Sequence, residues 1–378
     1  MMMSNVTNAE AGGVRVHERR TRSERAPASV HSTGGDSRGS PRIGPRGCKR
    51  IAGARDRVRR FAHPHLAALA LAACASPGPL ERVPIPPGAG VRIAADSLAA
   101  HGVIWSRPWF VLRARWGHID HSLKAGIYQF ARHSSTGAIL HALRAGDALH
   151  FRVTLPIGGT VFDLARSVQD HLGIPRDRLL AAARDPALLH EFHIPGPSVE
   201  GWLLPESFDF GGFDSASDVL GRFITARAQA WDSSWDARAE TAGLDRNALL
   251  VLASIVEAEA RNPADRPLIA AVYRNRRRRG MSLDADPTIE YAYLLRDGER
   301  KSRLFDVDYQ LDSPWNTYRH PGLPPGPVGN PSHQAIEAVL TPASVPYLYF
   351  VAGPDGKSLF ATTYTEHLRN VRKLRGGG

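Results

Sequence analysis

The chain has 378 residues, 43% of them hydrophobic, and a formal net charge of +11; this length holds two domains with real cores, and this composition is that of a soluble globular protein. The charge is unevenly placed, because residues 1–80 carry 14 Lys/Arg against 5 Asp/Glu and leave only +2 for residues 81–378. A folded part so nearly neutral excludes a general nucleic-acid binder, which needs a basic face on the folded domain.

Residues 1–56 are rich in Ser, Gly, Arg and Pro and contain no aromatic residue. They cannot build a core, so they are expected to be disordered, or not to be translated at all. Residues 57–80 have the layout of a secretory signal: Arg57, Arg59 and Arg60, a mainly apolar run over residues 61–73, then Cys74. Leu71-Ala72-Ala73-Cys74 resembles a bacterial lipobox, which makes Cys74 the candidate lipidation site and the Pro- and Gly-containing residues 75–79 a tether. His63-Pro64-His65 interrupts the run. What remains is shorter than the ~20 residues that cross a bilayer. Translation starting at Val58 would put the charges where a signal requires them; the competing reading is a buried helix with an incidental cysteine. No Cys follows position 74. A disulfide framework and a thiolate metal site are therefore excluded from the rest of the chain.

Val83-Pro84-Ile85-Pro86-Pro87-Gly88 recurs seventy residues later as Val153-Thr154-Leu155-Pro156-Ile157-Gly158. Each copy is a short strand ending in a Pro-Gly turn, followed by a helical pattern with Ala94, Ala95 and Leu98 in the first and Leu164, Ala165 and Val168 in the second. Between them the spacing predicts a helix over 108–116, a strand over 125–130 and a helix over 135–145. Residues 81–150 then form a small βααβ module and residues 151–378 a larger mixed domain, an α+β fold class.

In the larger part, Asp245 reads as the N-cap of a helix running to Val256 that is apolar but for Ser254, with Asn262-Pro263 beyond its end. A helix apolar nearly all round is a buried one. Glu257 shares a face with Leu250, Ala253 and Ser254, so its carboxyl points into packed protein or a cleft floor. Burial favours the neutral acid, and the partial negative charge at a helix C-terminus disfavours the anion, which is how a general acid is made. The competing reading pairs Glu257 or Glu259 with Arg261 or Arg266. The run Arg274-Asn275-Arg276-Arg277-Arg278-Arg279 reads as a solvated helix face, or as an attractor of anionic substrate or membrane phosphates. Asp286-Pro287 reads as N-cap and first-turn proline of a helix through Leu295, and Pro354-Asp355-Gly356 as the turn of a hairpin.

Four separated segments together resemble the endolytic murein transglycosylase family, bacterial enzymes that cut nascent peptidoglycan strands. They are Glu200-Gly201-Trp202-Leu203-Leu204-Pro205-Glu206-Ser207, residues 252–259, Ala271-Val272-Tyr273-Arg274-Asn275-Arg276 with Asp286-Pro287-Thr288, and Ser313-Pro314-Trp315-Asn316-Thr317-Tyr318. Gly322-Leu323-Pro324-Pro325-Gly326-Pro327 continues the likeness, which spans about residues 81–375. The resemblance implies a LysM-like module over 81–150 and a catalytic domain over 151–378. It implies that Glu257 is the catalytic acid: it protonates the leaving oxygen of the β-1,4 bond from N-acetylmuramic acid to N-acetylglucosamine, then takes the proton of the muramyl C6 hydroxyl to leave a 1,6-anhydro end.

Around it, Glu200, Trp202, Glu206, Glu259, Asp286, Thr288, Asn316 and Tyr318 are the candidate substrate-binding residues. Their bland alternatives are a core plug for Trp202, a surface ion pair for Glu206, a helix cap for Asp286 and packing for Tyr318. The 16 His show no ligand spacing, and neither metal nor cofactor is implied. Implied partners are peptidoglycan glycan strands, the penicillin-binding synthases and, through residues 57–80, the membrane, with no nucleic acid. The implied location is the periplasmic face of the inner membrane. Ala75 stands where an acidic residue would retain a lipoprotein there, so outer-membrane anchoring is the alternative. Ile157 departs from the family, which usually has Glu before that glycine. Two rival functions remain: a muramidase-type hydrolase with Glu200 or Glu206 activating water, and a non-catalytic peptidoglycan-binding scaffold.

Overall fold

A computed structural model describes residues 78–119 and 122–375. The extension over residues 1–56 and the signal-like segment with Cys74 lie outside the described residues. Strand β1 (Leu80–Ile85) alternates so that Val83 and Ile85 face inward. Helix α1 (Val91–Ala100) buries Val91, Ala94, Ala95 and Leu98, a stripe at three- and four-residue spacing. Helix α2 (Arg107–Trp116) starts at Ser106, whose hydroxyl accepts the Trp109 N–H at 3.4 Å, and buries only Phe110 and Ala114. Strand β2 (Gly126–Ala131) pairs antiparallel with β1, Val83 opposite Tyr128. Helix α3 (Thr136–Ala145) is capped by Ser135 and ends at left-handed Gly146. Their inward faces make one core, with Leu98, Phe110, Tyr128 and Leu143 fully buried.

The strand-turn-helix unit then repeats. Strand β3 (Phe151–Thr154) leads into α4 (Val161–Leu172), which opens with a reciprocal capping box between Thr160 and Asp163. After α5 (Arg176–Ala182) and α6 (Pro186–Glu191), strand β4 (Ser207–Phe210) returns to pair antiparallel with β3, Val153 opposite Phe208. Helices α7 (Ala216–Gln229), α8 (Trp235–Thr241), α9 (Arg246–Glu259), α10 (Arg266–Arg278), α11 (Asp286–Asp297) and α12 (His333–Leu340) follow. The hairpin β5 (Tyr349–Ala352) and β6 (Ser358–Ala361), then α13 (Tyr364–Arg375), end the described chain. The fold is thus α+β, helices with three two-stranded antiparallel sheets.

Helix α9 runs through the second core. Asp245 caps it, accepting the Ala248 N–H at 2.7 Å, and every residue from Leu249 to Glu257 is buried. The segment leading into β3 is tied to β2 where Leu149 donates its N–H to the Ile127 carbonyl at 2.7 Å.

Two local expectations are corrected. Asp286 is not a cap but the first residue of α11, which starts after Ala285 with no side-chain cap; its carboxylate is taken instead by the Tyr318 hydroxyl at 2.6 Å. The basic run is not simply a solvated face. Arg274 donates to the Ala343 carbonyl, Asn275 to those of Val345 and Tyr347, and Arg276, 8% exposed, to those of Ser282, Leu283 and Leu348 and to Asp284. These side chains hold the segment leading into β5 against α10 because its carbonyls have no ladder partner there.

Candidate active site

Glu257 sits in the last turn of α9 and is 9% exposed. One carboxylate oxygen pairs with Arg266 Nη2 at 2.5 Å, Arg266 being the first residue of α10. The other accepts the Ser332 N–H at 2.9 Å and the Ser332 hydroxyl. Both readings of Glu257 made from the sequence therefore meet: it is a buried carboxyl, and it is the partner of Arg266. Ser332 is also the N-cap of α12, so the carboxylate lies at the positive end of one helix as well as the negative end of its own.

The turn Pro156–Gly159 closes over this carboxyl. A Cβ on Gly158, whose φ is +70°, would lie 3.4 Å from Glu257 Cγ. Ile157 beside it is 61% exposed, a hydrophobic residue presented to solvent. Gly158 donates its N–H to the Asn330 carbonyl and Asn330 its own to the Gly159 carbonyl, both at 2.9 Å, which ties the turn to the segment before Ser332. Ser254, the one polar residue inside the apolar helix, accepts the Val328 N–H at 3.0 Å and straps the same segment to α9.

Glu200 is buried and lies in this scaffold, not at its surface. Its carboxylate accepts the Val161 N–H, Asn330 Nδ2 at 2.6 Å and the Tyr291 hydroxyl at 3.1 Å. Burial pushes its pKa up to about 7 against the pull of those hydrogen bonds. Gly201, with φ +83°, follows it because a Cβ there would collide with the Pro327 ring. Trp202 is buried in the second core. Glu206 is exposed, its carboxylate accepting the Ser207 N–H.

A second acidic group lies two residues beyond Glu257. The Glu259 carboxyl is enclosed, although part of the residue reaches solvent, and Tyr273 donates its hydroxyl to it at 3.1 Å. Burial first, then repulsion from Asp286 and Glu290, pushes its pKa up to about 8. Asp286 holds the Tyr318 hydroxyl, so Glu259, Tyr273, Asp286 and Tyr318 form one acidic, tyrosine-lined cluster. Thr288 and Asn316, expected at the substrate, are instead fully buried. Thr288 donates to the Ala285 carbonyl and shares a bond with Thr317, while the Asn316 amide donates to the Tyr309 and Leu311 carbonyls. They shape the loop that carries Tyr318.

The sequence pattern did not single out Ser332 or Asn330, nor Arg227, which is buried and donates to the Leu203 and Pro331 carbonyls. The signal was there in Gly329-Asn330-Pro331-Ser332, a turn and N-cap spelling just before a helical pattern. Among the described residues, no group of three or more His, Cys, Asp or Glu is placed to hold a metal ion, and no helix is long and apolar enough to cross a membrane.

The Glu257 carboxyl, held by the Arg266 cation and the two Ser332 donors and roofed by a glycine turn, is chemically able to give and take a proton. The YceG-like family model matches residues 83–373, and the chain belongs to that family. It is similar to the endolytic murein transglycosylase of Bacillus subtilis (strain 168), 28% identical over 76% of this chain and 83% of that one. It is also similar to the endolytic murein transglycosylase of Streptococcus pneumoniae serotype 2, 30% identical over 76% of this chain and 57% of that one. Among solved structures, a YceG-like protein from Listeria monocytogenes superposes with a TM-score of 0.54 at 28% identity, covering 78% of this chain and 99% of that one.

Proposed function

We propose that this chain is an endolytic peptidoglycan lytic transglycosylase that cuts the β-1,4 bond from N-acetylmuramic acid to N-acetylglucosamine within nascent glycan strands, with Glu257 as the single acid and base. The observation that carries this reading is the Glu257 carboxyl itself, buried at the end of α9 between Arg266 and Ser332. Bond cleavage starts with the carboxyl proton passing to the leaving N-acetylglucosamine oxygen while positive charge builds on the anomeric carbon. Glu257, now ionised, takes the proton of the muramyl C6 hydroxyl, whose oxygen closes on the anomeric carbon. No water is consumed, and the carboxyl ends the cycle protonated as it began it. Arg266 and the two Ser332 donors fix where the carboxylate points.

An inverting hydrolase needs a second carboxylate free to activate water, and a retaining one needs it free as a nucleophile. Glu200 is held by three buried donors, which counts against it as that base; Glu206 is exposed, and the product ends separate its hydrolytic use from the lytic reading. The cluster of Glu259, Asp286 and Tyr318, with Glu206, is where we place contacts to the sugar hydroxyl and acetamido groups. We further propose anchoring through residues 57–80 at the periplasmic face of the inner membrane beside the penicillin-binding synthases, where cutting would end strand elongation; a lipid on Cys74, followed by Ala75, would instead suit the outer membrane.

One observation favours a second assignment of the proton: the enclosed Glu259 carboxyl has its pKa raised to about 8 and therefore carries a proton at neutral pH. Mass spectrometry of the products released from peptidoglycan tests both. Internal fragments ending in anhydromuramic acid, lost in Glu257→Gln and kept in Glu259→Gln, are expected. Reducing ends would mean hydrolysis, and loss in Glu259→Gln alone would move the acid to that residue.

A further inference from the structure

We propose that the outer face of α2 is a docking surface for an anionic phospholipid bilayer, separate from any N-terminal anchor and from the glycan site. Helix α2 turns Phe110 and Ala114 inward and leaves Trp109, Leu112 and Trp116 outward, at positions i, i+3 and i+7 of one stripe. Trp109 is 52% exposed and Trp116 71%. Trp105, just before the helix, is 82% exposed, its ring against His133 at 4.2 Å. Large apolar rings are costly to leave in water, and such a patch marks an interaction surface.

The charge around the stripe says what it meets. Residues 81–150 carry 8 Lys/Arg against 4 Asp/Glu, whereas residues 151–378 carry 26 against 28. The positive charge of the folded part is therefore concentrated on the small module. Arg92, Arg107 and Arg115 line a groove of about 560 Å³ between α1 and α2, with Leu112 at its edge; its one acid, Asp96, pairs with Arg107 at 3.1 Å, so Arg92 and Arg115 carry the groove's net positive charge. Tryptophans with arginines beside them suit a membrane interface, the rings lying at the headgroup level and the guanidiniums on phosphates. Each arginine near an anionic leaflet is worth roughly a fivefold gain in partition.

A glycan strand fits the surface less well. Trp109 and Trp116 stand roughly 10 Å apart along a convex helix, by its rise per residue. A strand would need amide or carboxylate groups aimed at its hydroxyls, and the stripe presents none. Five residues lie between Cys74 and Leu80, at most roughly 20 Å when extended, so the lipid proposed on Cys74 would keep this module near a bilayer.

The test uses the full chain carrying Cys74→Ser, which removes the acylation site, sedimented with vesicles of phosphatidylcholine alone or mixed with phosphatidylglycerol. Binding to the phosphatidylglycerol vesicles is expected to fall at least tenfold with Trp109→Ala/Leu112→Ala/Trp116→Ala, circular dichroism unchanged. It should fall comparably with Arg92→Glu/Arg115→Glu and with high salt. Binding left intact by both variants would overturn the proposal and assign vesicle affinity to the N-terminal segment. Loss of binding to isolated glycan strands, with vesicle binding kept, would overturn it in favour of a sugar site. Glycan cleavage is read separately, so failure here leaves the Glu257 assignment standing or falling by its own products.

Discussion

Ser332 gives Glu257 two donors from one residue, its backbone N–H at 2.9 Å and its hydroxyl to the same carboxylate oxygen, while that hydroxyl also accepts the Ala335 N–H that opens α12. Orientation of the carboxyl is thereby coupled to the cap of a helix 75 residues away in sequence. Ser332→Ala removes the hydroxyl from both duties. With Glu257 as the proposed acid, one charge-assisted hydrogen bond corresponds to about a 10- to 100-fold fall in kcat, with KM little changed because the bond is to that carboxyl and not to the sugar. The lost cap costs about 1 kcal/mol of stability. Steady-state kinetics beside urea unfolding separates the two effects, and Ser332→Thr should restore most of both.

Arg266 and Glu257 are both nearly buried, with side chains 13% and 5% exposed. Removing one partner of such a pair leaves the other charge without compensation, so Arg266→Ala is expected to cost about 3–5 kcal/mol of stability. Arg266→Lys keeps the charge but loses the planar fork, and should recover stability more fully than rate. Urea midpoints and kcat measured on both variants check this; equal recovery of the two would reduce Arg266 to a stabilising ion.

Glu200 acts one step further out. It gathers the α4 N-terminus through Val161, the segment before Ser332 through Asn330, and α11 through Tyr291. Glu200→Ala leaves three buried donors unsatisfied, and we expect it to cost roughly 2–4 kcal/mol and to lower activity through misplacement of Ser332. Glu200→Gln keeps the shape and one acceptor oxygen and should cost less. Activity of the Ala variant surviving in full at a temperature where it is folded would rule out the positioning role.

Much of this was legible in the sequence where the determinants are local. The Asp245 cap, the apolar run of α9 and the repeated strand-turn-helix unit are all written within ten or so residues, and the structure places each of them. What escaped is carried by long-range pairs. Nothing near Asp286 says that Tyr318, 32 residues on, claims its carboxylate, and the spelling of an N-cap is the same either way. The family-like segments and the turn-rich loop put Thr288 and Asn316 among the candidates for the substrate; the structure shows both buried, where polar side chains also satisfy a loop's own carbonyls. Glu257 was found because a carboxylate on an apolar helix is costly wherever it occurs; Ser332 was missed because a serine before a helix is ordinary.

Glu259 sets a pH dependence with a definite sign. Its pKa is about 8 in the folded chain against 4.5 for an ordinary solvated glutamate, so between those values the folded state holds a proton the unfolded state has lost. A raised carboxyl pKa contributes stability that is fully present below pH 4.5 and is lost as pH rises through about 8. The steepest slope one such group allows is about 1.4 kcal/mol per pH unit, softened here because part of the residue reaches solvent. Glu200, raised to about 7, adds a slope of the same sign that ends a unit earlier. Glu259→Gln cannot titrate. Its urea midpoint should therefore be nearly level between about pH 7 and 8, where the parent still loses stability, while both proteins decline between about pH 4.5 and 7. A parent midpoint flat across that upper interval would mean that Glu259 is already ionised there, and would remove the basis for assigning it the proton in place of Glu257.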